Sequence, residues 1–115
     1  YIRGVMNLRG EVVPVIDLSY RLYEKTSDIT KLSCIIIVEI FDGDEHKPIG
    51  IVIDSIKSVA DIDKDAIEET PSFGSKIRPD FINGVGKINE IFVILLNIMK
   101  VIDIEELSNF EESMK

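Results

Sequence analysis

The sequence predicts an all-β protein: two small barrels related by a pseudo-twofold axis, with short helices and a helix near the C-terminal end. Three observations carry that expectation. Short β-branched runs alternate with turn residues at intervals of roughly eight to twelve positions, the rhythm of a barrel or sandwich. The opening stretch Tyr1 to Leu18, YIRGVMNLRGEVVPVIDL, recurs 80 positions later (81 − 1) as Phe81 to Ile98, FINGVGKINEIFVILLNI. The recurrence needs no gap, and strand pattern, turn and helix cap coincide in the two copies.

Taken in order, Gly4 to Leu8 is a short alternating apolar run and Val12 to Ile16 a second, interrupted by Pro14. Arg9-Gly10 between them is a two-residue turn, so the pair reads as a tight β-hairpin. Pro14 has no ladder donor, which makes one side of its strand an edge or a bulge. Asp17 stands at a helix N-cap before Leu18 to Tyr23. Glu24 to Lys31 is a polar connector. Ser33 to Phe41 is almost continuously β-branched and reads as a strand buried on both faces. Residues 42–48 carry turn chemistry, and Ile49 to Ile56 returns to close a second hairpin. Gly50, at the entry of that strand, implies close approach of another backbone. Val59 to Ile67 alternates weakly, as a strand or an irregular piece. Glu68 to Pro79 is a loop carrying Pro71, Gly74 and Pro79. After the repeated hairpin, Asn97 caps a helical tail, and Asp103 with Glu106 forms a capping box for Ile104 to Glu112. The second hairpin has the strands of residues 33–60 before it and the first has nothing, so an upstream strand pair is expected to be missing. That leaves an open strand edge through which dimers could form.

Length and charge bound the function. At 115 residues the chain is one domain, residues 1–115, or two very small ones sharing a core. The net charge of −8 argues against nucleic acid and against anionic membrane surfaces. No apolar run spans a bilayer. Residues 1–23 nevertheless sum to +1, from three arginines against Glu11 and Asp17, so the remainder carries −9. The single cysteine, Cys34, permits no internal disulfide and suits a reducing compartment.

The sequence offers little for catalysis. His46, the only histidine, sits in an acidic turn without a nucleophile near it in sequence. Cys34 has no basic neighbour to lower its pKa, which favours core packing. Asp61, Asp63 and Asp65 resemble the opening of a calcium loop, but Ala66 and Ser72 occupy the positions needing Gly and a bidentate Glu. No phosphate loop, zinc spacing or triad order is present, so neither enzyme, metal nor cofactor is expected. Arg9 stands out at a hairpin tip. It serves either solubility or as a fork donor for a partner's carboxylate.

These residues resemble the CheW family, the coupling proteins of bacterial chemotaxis. The resemblance runs through Tyr1-Ile2-Arg3-Gly4-Val5, Asn7-Leu8-Arg9-Gly10, Val13-Pro14-Val15 and Asp17-Leu18. It continues through Ile49 to Asp54, Pro71-x-Phe73, Phe81 to Lys87 and Leu95 to Ile98, and so covers nearly all the chain. It implies two SH3-like five-stranded barrels around a shared core, the first lacking its upstream strands. It also implies a non-enzymatic scaffold at membrane-associated receptor arrays in the cytoplasm. One surface would bind the cytoplasmic tip of chemoreceptors and another the regulatory domain of the histidine kinase CheA. Family receptor-binding positions fall on Gly4, Arg9 and Gly50, with Ile49 beside Gly50, and the apolar strand at Ile35 and Ile37 joins them. A kinase-contact position falls on Phe73, with Glu68 and Ser72 in the same stretch; some relatives carry a basic residue where this chain has Glu68. The same residues also fit the kinase's own regulatory domain or a coupling protein fused to a receiver domain. The segment Asn7 to Leu18 fits the coupling form better. A nucleic-acid-binding small barrel is the rival of a different class, and the charge opposes it.

Overall fold

The computed structural model describes residues 1–68 and 77–113. Its larger sheet contains β1 (Ile2–Leu8), β2 (Glu11–Asp17), β3 (Cys34–Asp42) and β4 (Glu45–Ile53), in the order β1-β2-β4-β3. Two antiparallel hairpins, β1–β2 and β3–β4, meet where β2 runs parallel to β4, with Val15, Ile16 and Asp17 opposite Gly50, Ile51 and Val52. A second sheet holds β5 (Ile82–Ile88) and β6 (Ile91–Leu96). The helices are α1 (Leu18–Tyr23), α2 (Ile98–Val101) and α3 (Ile104–Ser113). No helix among the described residues is long and apolar enough to cross a membrane.

The prolines account for the shape of the larger sheet. Pro14 lies one residue before the parallel contact in β2, and Pro48 two residues before it in β4. Neither has an N–H to give to a neighbouring strand. Pairing therefore starts beyond them, and the two hairpins diverge towards their turns.

The fold is mostly β, with few helices, but no closed barrel forms among the described residues. Closure would need the first and last strands of the sheet to pair, whereas β1 and β3 lie at its opposite ends. The strands of residues 33–60 also belong with the first hairpin through β2, and not with the second. The β3–β4 turn is tighter than expected, so Asp42 and Glu45 to Pro48 lie within strands. The run Ser33 to Phe41 is not buried on both faces: Ile35 is 47% exposed, Ile37 38% and Phe41 61%. Its strand is an edge, and Ile40 and Val38 carry its contact with the core. Cys34 is only half-buried, its thiol directed at the Leu32 carbonyl at 3.4 Å.

One face of the larger sheet is the core. Ile16, Ile40, Ile49 and Ile51 pack against Ile102 and Leu107 from the C-terminal helical segment. A smaller cluster gathers Ile77, Phe81 and Val101, and Leu18 borders both clusters. Each such aliphatic side chain contributes about 1.5–3 kcal/mol by leaving water.

The two copies of the repeated stretch adopt matching geometry. Ile2, Gly4, Val5 and Leu8 pair with Ile16, Val15, Pro14 and Glu11, while Ile82, Gly84, Val85 and Ile88 pair with Leu96, Leu95, Ile94 and Ile91. The same irregularity follows Ile2 and Ile82. Both turns run through two residues of positive φ, Arg9 (52°) and Gly10 (84°) against Asn89 (48°) and Glu90 (67°), the type I′ signature. Asp17 caps α1 by accepting from the Tyr20 N–H, and Asn97 caps α2 by accepting from the Lys100 N–H. Between the copies lies Arg21. Its guanidinium carbon is 4.4 Å from the Tyr1 ring centre and 5.0 Å from that of Phe81, and its Nε donates to the Val101 carbonyl at 2.7 Å.

Residues 55–68 are irregular apart from a 3₁₀ turn at Lys64–Ala66. The segment ends by crossing β5, where Glu68 and Val85 exchange two backbone hydrogen bonds of 2.9 Å each.

Candidate interaction surface

The face of the larger sheet opposite the core gathers several of the residues singled out in sequence. Directly opposed residues in neighbouring strands point to the same side of a sheet. Gly4 opposes Val15, Val15 opposes Gly50, and Gly50 opposes Ile37. One row thus crosses all four strands and contains Gly4, Gly50 and Ile37. Ile35, two residues along β3, shares that face. Gly50 forms a floor, because a Cβ there would stand 3.2 Å from both the Ile35 and the Val15 side chains. The close approach expected at this glycine is made by side chains, not by backbone.

Ile49 does not share this surface. Alternation along β4 turns it to the other side, where it is 0% exposed in the core. It packs behind the row and offers no atom to a partner.

Where the hairpins diverge, the same face deepens into a groove of about 510 Å³ lined by Leu8, Arg9, Glu11, Ile37, Glu39, His46 and Pro48. Arg9 enters it from the β1–β2 turn and Ile37 from the edge strand. Across it, His46 Nδ1 lies 3.6 Å from Glu39 Oε2, and the His46 ring meets Phe41 edge-on with centres 4.4 Å apart. The sequence reads His46 as a solvated turn residue and gives no sign that Glu39 and Pro48 line the same groove. The two prolines were the available signal, since each marks where a strand loses its neighbour.

The row is anchored at Asp17. Its carboxylate accepts from the N–H of Tyr20 at 3.1 Å and of Ser27 at 2.9 Å, and pairs with Arg3 Nη1 at 3.1 Å. Arg3 also donates to the Ser27 carbonyl at 2.8 Å. Burial works to raise the Asp17 pKa, but the Ser27 and Tyr20 amides, the Ser27 hydroxyl and the Arg3 charge outweigh it and hold the carboxyl below its ordinary value. Asp17 therefore fixes the end of β2, the start of α1 and the connector in one cluster.

Of the residues expected to meet a kinase, Glu68 is exposed and uses its backbone to bridge β5. Ser72 and Phe73 lie outside the described residues. No cluster of three or more metal-ligating side chains occurs among the described residues.

The family model described as CheW-like domain matches residues 1–106. The chemotaxis protein CheW of Klebsiella aerogenes is 28% identical over 108 residues, an alignment covering 94% of this chain and 63% of the relative. The probable chemotaxis protein CheW of Rhizobium etli is 31% identical over 98 residues, covering 85% of this chain and 61% of the relative. The crystal structure of the scaffolding protein TtCheW from Thermoanaerobacter tengcongensis superposes with a TM-score of 0.75 at 32% identity, covering 90% of this chain and 64% of that one. The chain thus spans less than two thirds of the length of each of these proteins.

Proposed function

The chain belongs to the CheW-like domain family, and from that premise we propose that it is a non-enzymatic scaffold coupling chemoreceptors to a histidine kinase in chemotaxis signalling. The observation that carries this reading is the row Gly4–Val15–Gly50–Ile37 beside the Arg9 groove. Family resemblance assigns receptor contact to positions distant in sequence, and four strands bring Gly4, Gly50 and Ile37 into one line on the face turned away from the Ile16, Ile49 and Ile51 cluster. A helical receptor tip would lie along this face, with Ile35 and Ile37 supplying apolar contact and Arg9 a charge-assisted hydrogen bond. The kinase's regulatory domain would engage the stretch containing Glu68, Ser72 and Phe73. Such a protein works in the cytoplasm at receptor arrays. The paired SH3-like barrels implied by the resemblance are proposed for the complete protein, in which further strands complete each unit; the repeat of residues 1–18 in 81–98 is read as a duplication of one such half.

The test is a titration of the chain against a receptor cytoplasmic fragment and, separately, against a kinase regulatory domain. Receptor binding that Ile37→Asp and Arg9→Ala each weaken, with kinase binding intact, is the expected result. Receptor binding indifferent to both substitutions overturns the assignment of this face.

A further inference from the structure

We propose that residues 55–68 form a releasable strap: they lift off β5 as one unit while the two sheets stay folded, and lifting bares a strand edge that the seated strap keeps closed. The contacts that carry this reading lie within the described residues, and none depends on the scaffold role.

β5 is shaped to seat the strap. Gly84 and Gly86, two residues apart, share one face of the strand. An added Cβ at Gly86 would stand 3.2 Å from Ile62 Cδ1 and 3.3 Å from Ile62 Cγ2, and one at Gly84 would meet Ile67 Cγ2 at 2.7 Å. Each isoleucine thus fills the space that a side chain on β5 would take. Both glycines and the Val85 between them are buried. Next to Ile67, Glu68 donates its N–H to the Val85 carbonyl and accepts from the Val85 N–H, each at 2.9 Å. Those two Val85 groups therefore face away from β6. In the first hairpin Met6 stands where β5 has Gly86, so the pair of hollows is a feature of the second copy.

The hold is slight for the length of chain held. Within the strap only Ser55, Ile62 and Ile67 are half-buried, and the other residues are exposed, Val59 at 95%. Its remaining backbone hydrogen bonds are its own: Ala66 donates to the Asp63 carbonyl at 2.9 Å and Ile67 to the Lys64 carbonyl at 3.2 Å. The centre of the larger sheet is the opposite case, since β2 and β4 are each paired on both sides and bury Ile16, Ile49 and Ile51. A segment with few buried apolar contacts and an exposed backbone opens at a free energy below that of global unfolding. The two isoleucines and the Glu68–Val85 exchange lie close together in the chain, so losing one loosens the others and release is a single event. Released, the strap leaves the Val85 N–H and C=O unpaired, the arrangement that recruits a strand from another chain; seated, it denies them that edge.

The test is amide hydrogen exchange of the intact 115-residue chain, read residue by residue. The Glu68 and Val85 amides are expected to show equal protection, at least about ten-fold below that of the hydrogen-bonded amides of β2 and β4. Ile62→Ala and, separately, Ile67→Ala are each expected to lower the protection of both amides about ten-fold, with the β2 and β4 amides unchanged. Val59→Ala, on the same segment but over no hollow, is expected to change neither. Val85 protection equal to that of β2 and β4 overturns the proposal, because the strap then opens only with the whole molecule. Unequal protection of Glu68 and Val85, protection unmoved by both isoleucine substitutions, or a response to Val59→Ala as large as that to Ile62→Ala overturns it as well.

Discussion

The hairpins β1–β2 and β5–β6 are the same local object in different surroundings. They share register, irregularity, turn type and cap. The first is extended on its β2 side by β4, whereas the second pairs with no other strand among the described residues and is crossed at β5 by Glu68. What the chain builds locally is therefore fixed within each stretch of eighteen residues or so. What each copy can bind is fixed by which edge and which face its neighbours leave open.

Substitutions at equivalent positions should separate the local from the contextual. The largest contrast is at the caps. Asn97→Ala should cost about 1 kcal/mol, the worth of an N-cap. Asp17→Ala should cost roughly 2–4 kcal/mol in denaturant titrations, because it also strips the Ser27 amide and Arg3 of their acceptor. The two should differ in pH dependence too. The Asp17 pKa is lowered in the folded state, so its stabilisation is present above the unfolded carboxyl's value and is lost as pH falls through the folded one. Asp17→Asn should flatten that acid limb, and Asn97→Ala should leave it in place.

Next come the paired glycines. Gly84→Ala should destabilise by about 1–3 kcal/mol, since its Cβ would press on Ile67 and on the Glu68 backbone. Gly4→Ala should stay within about 0.5 kcal/mol of the parent. Equal losses at both would mean that the two edges are not in different states.

Among the turn residues, Arg9→Ala should leave thermal stability within about 0.5 kcal/mol yet reduce affinity for a receptor fragment about ten-fold or more. Asn89→Ala should leave that affinity unchanged. The smallest effect is expected at Glu90, held at φ 67° without glycine's freedom. Glu90→Gly should stabilise by up to about 1 kcal/mol, and Gly10→Ala, at φ 84°, should destabilise by a similar amount.

What was legible in the sequence was local. Asn7-Leu8-Arg9-Gly10 spells a hairpin turn, and Asp17 and Asn97 spell caps, because the groups that satisfy them lie within a few residues. The pairing of β4 with β2 was not legible, since strand partners distant in sequence leave no mark on either strand's own pattern. The same limit misread Ser33 to Phe41: a β-branched run looks alike whether the strand is central or an edge. Gly4, Gly50 and Ile37 were visible as separate positions, but only the register of four strands puts them in a row. Ile49 entered the candidate site only as Gly50's neighbour in sequence, and the register turns alternate residues to opposite sides, which puts it in the core.

Arg21 has a mechanical consequence. Tyr1 and Phe81 are equivalent positions in the two copies, and Arg21 has Val101 as its own equivalent, so one guanidinium grips both aromatic rings and the backbone of its counterpart. It acts as a shared axle. Tilting one hairpin against the other would strain these contacts. Swapping the arginine for a shorter, uncharged side chain would remove this tie and leave Leu18, which borders both core clusters, as a remaining link between the two halves.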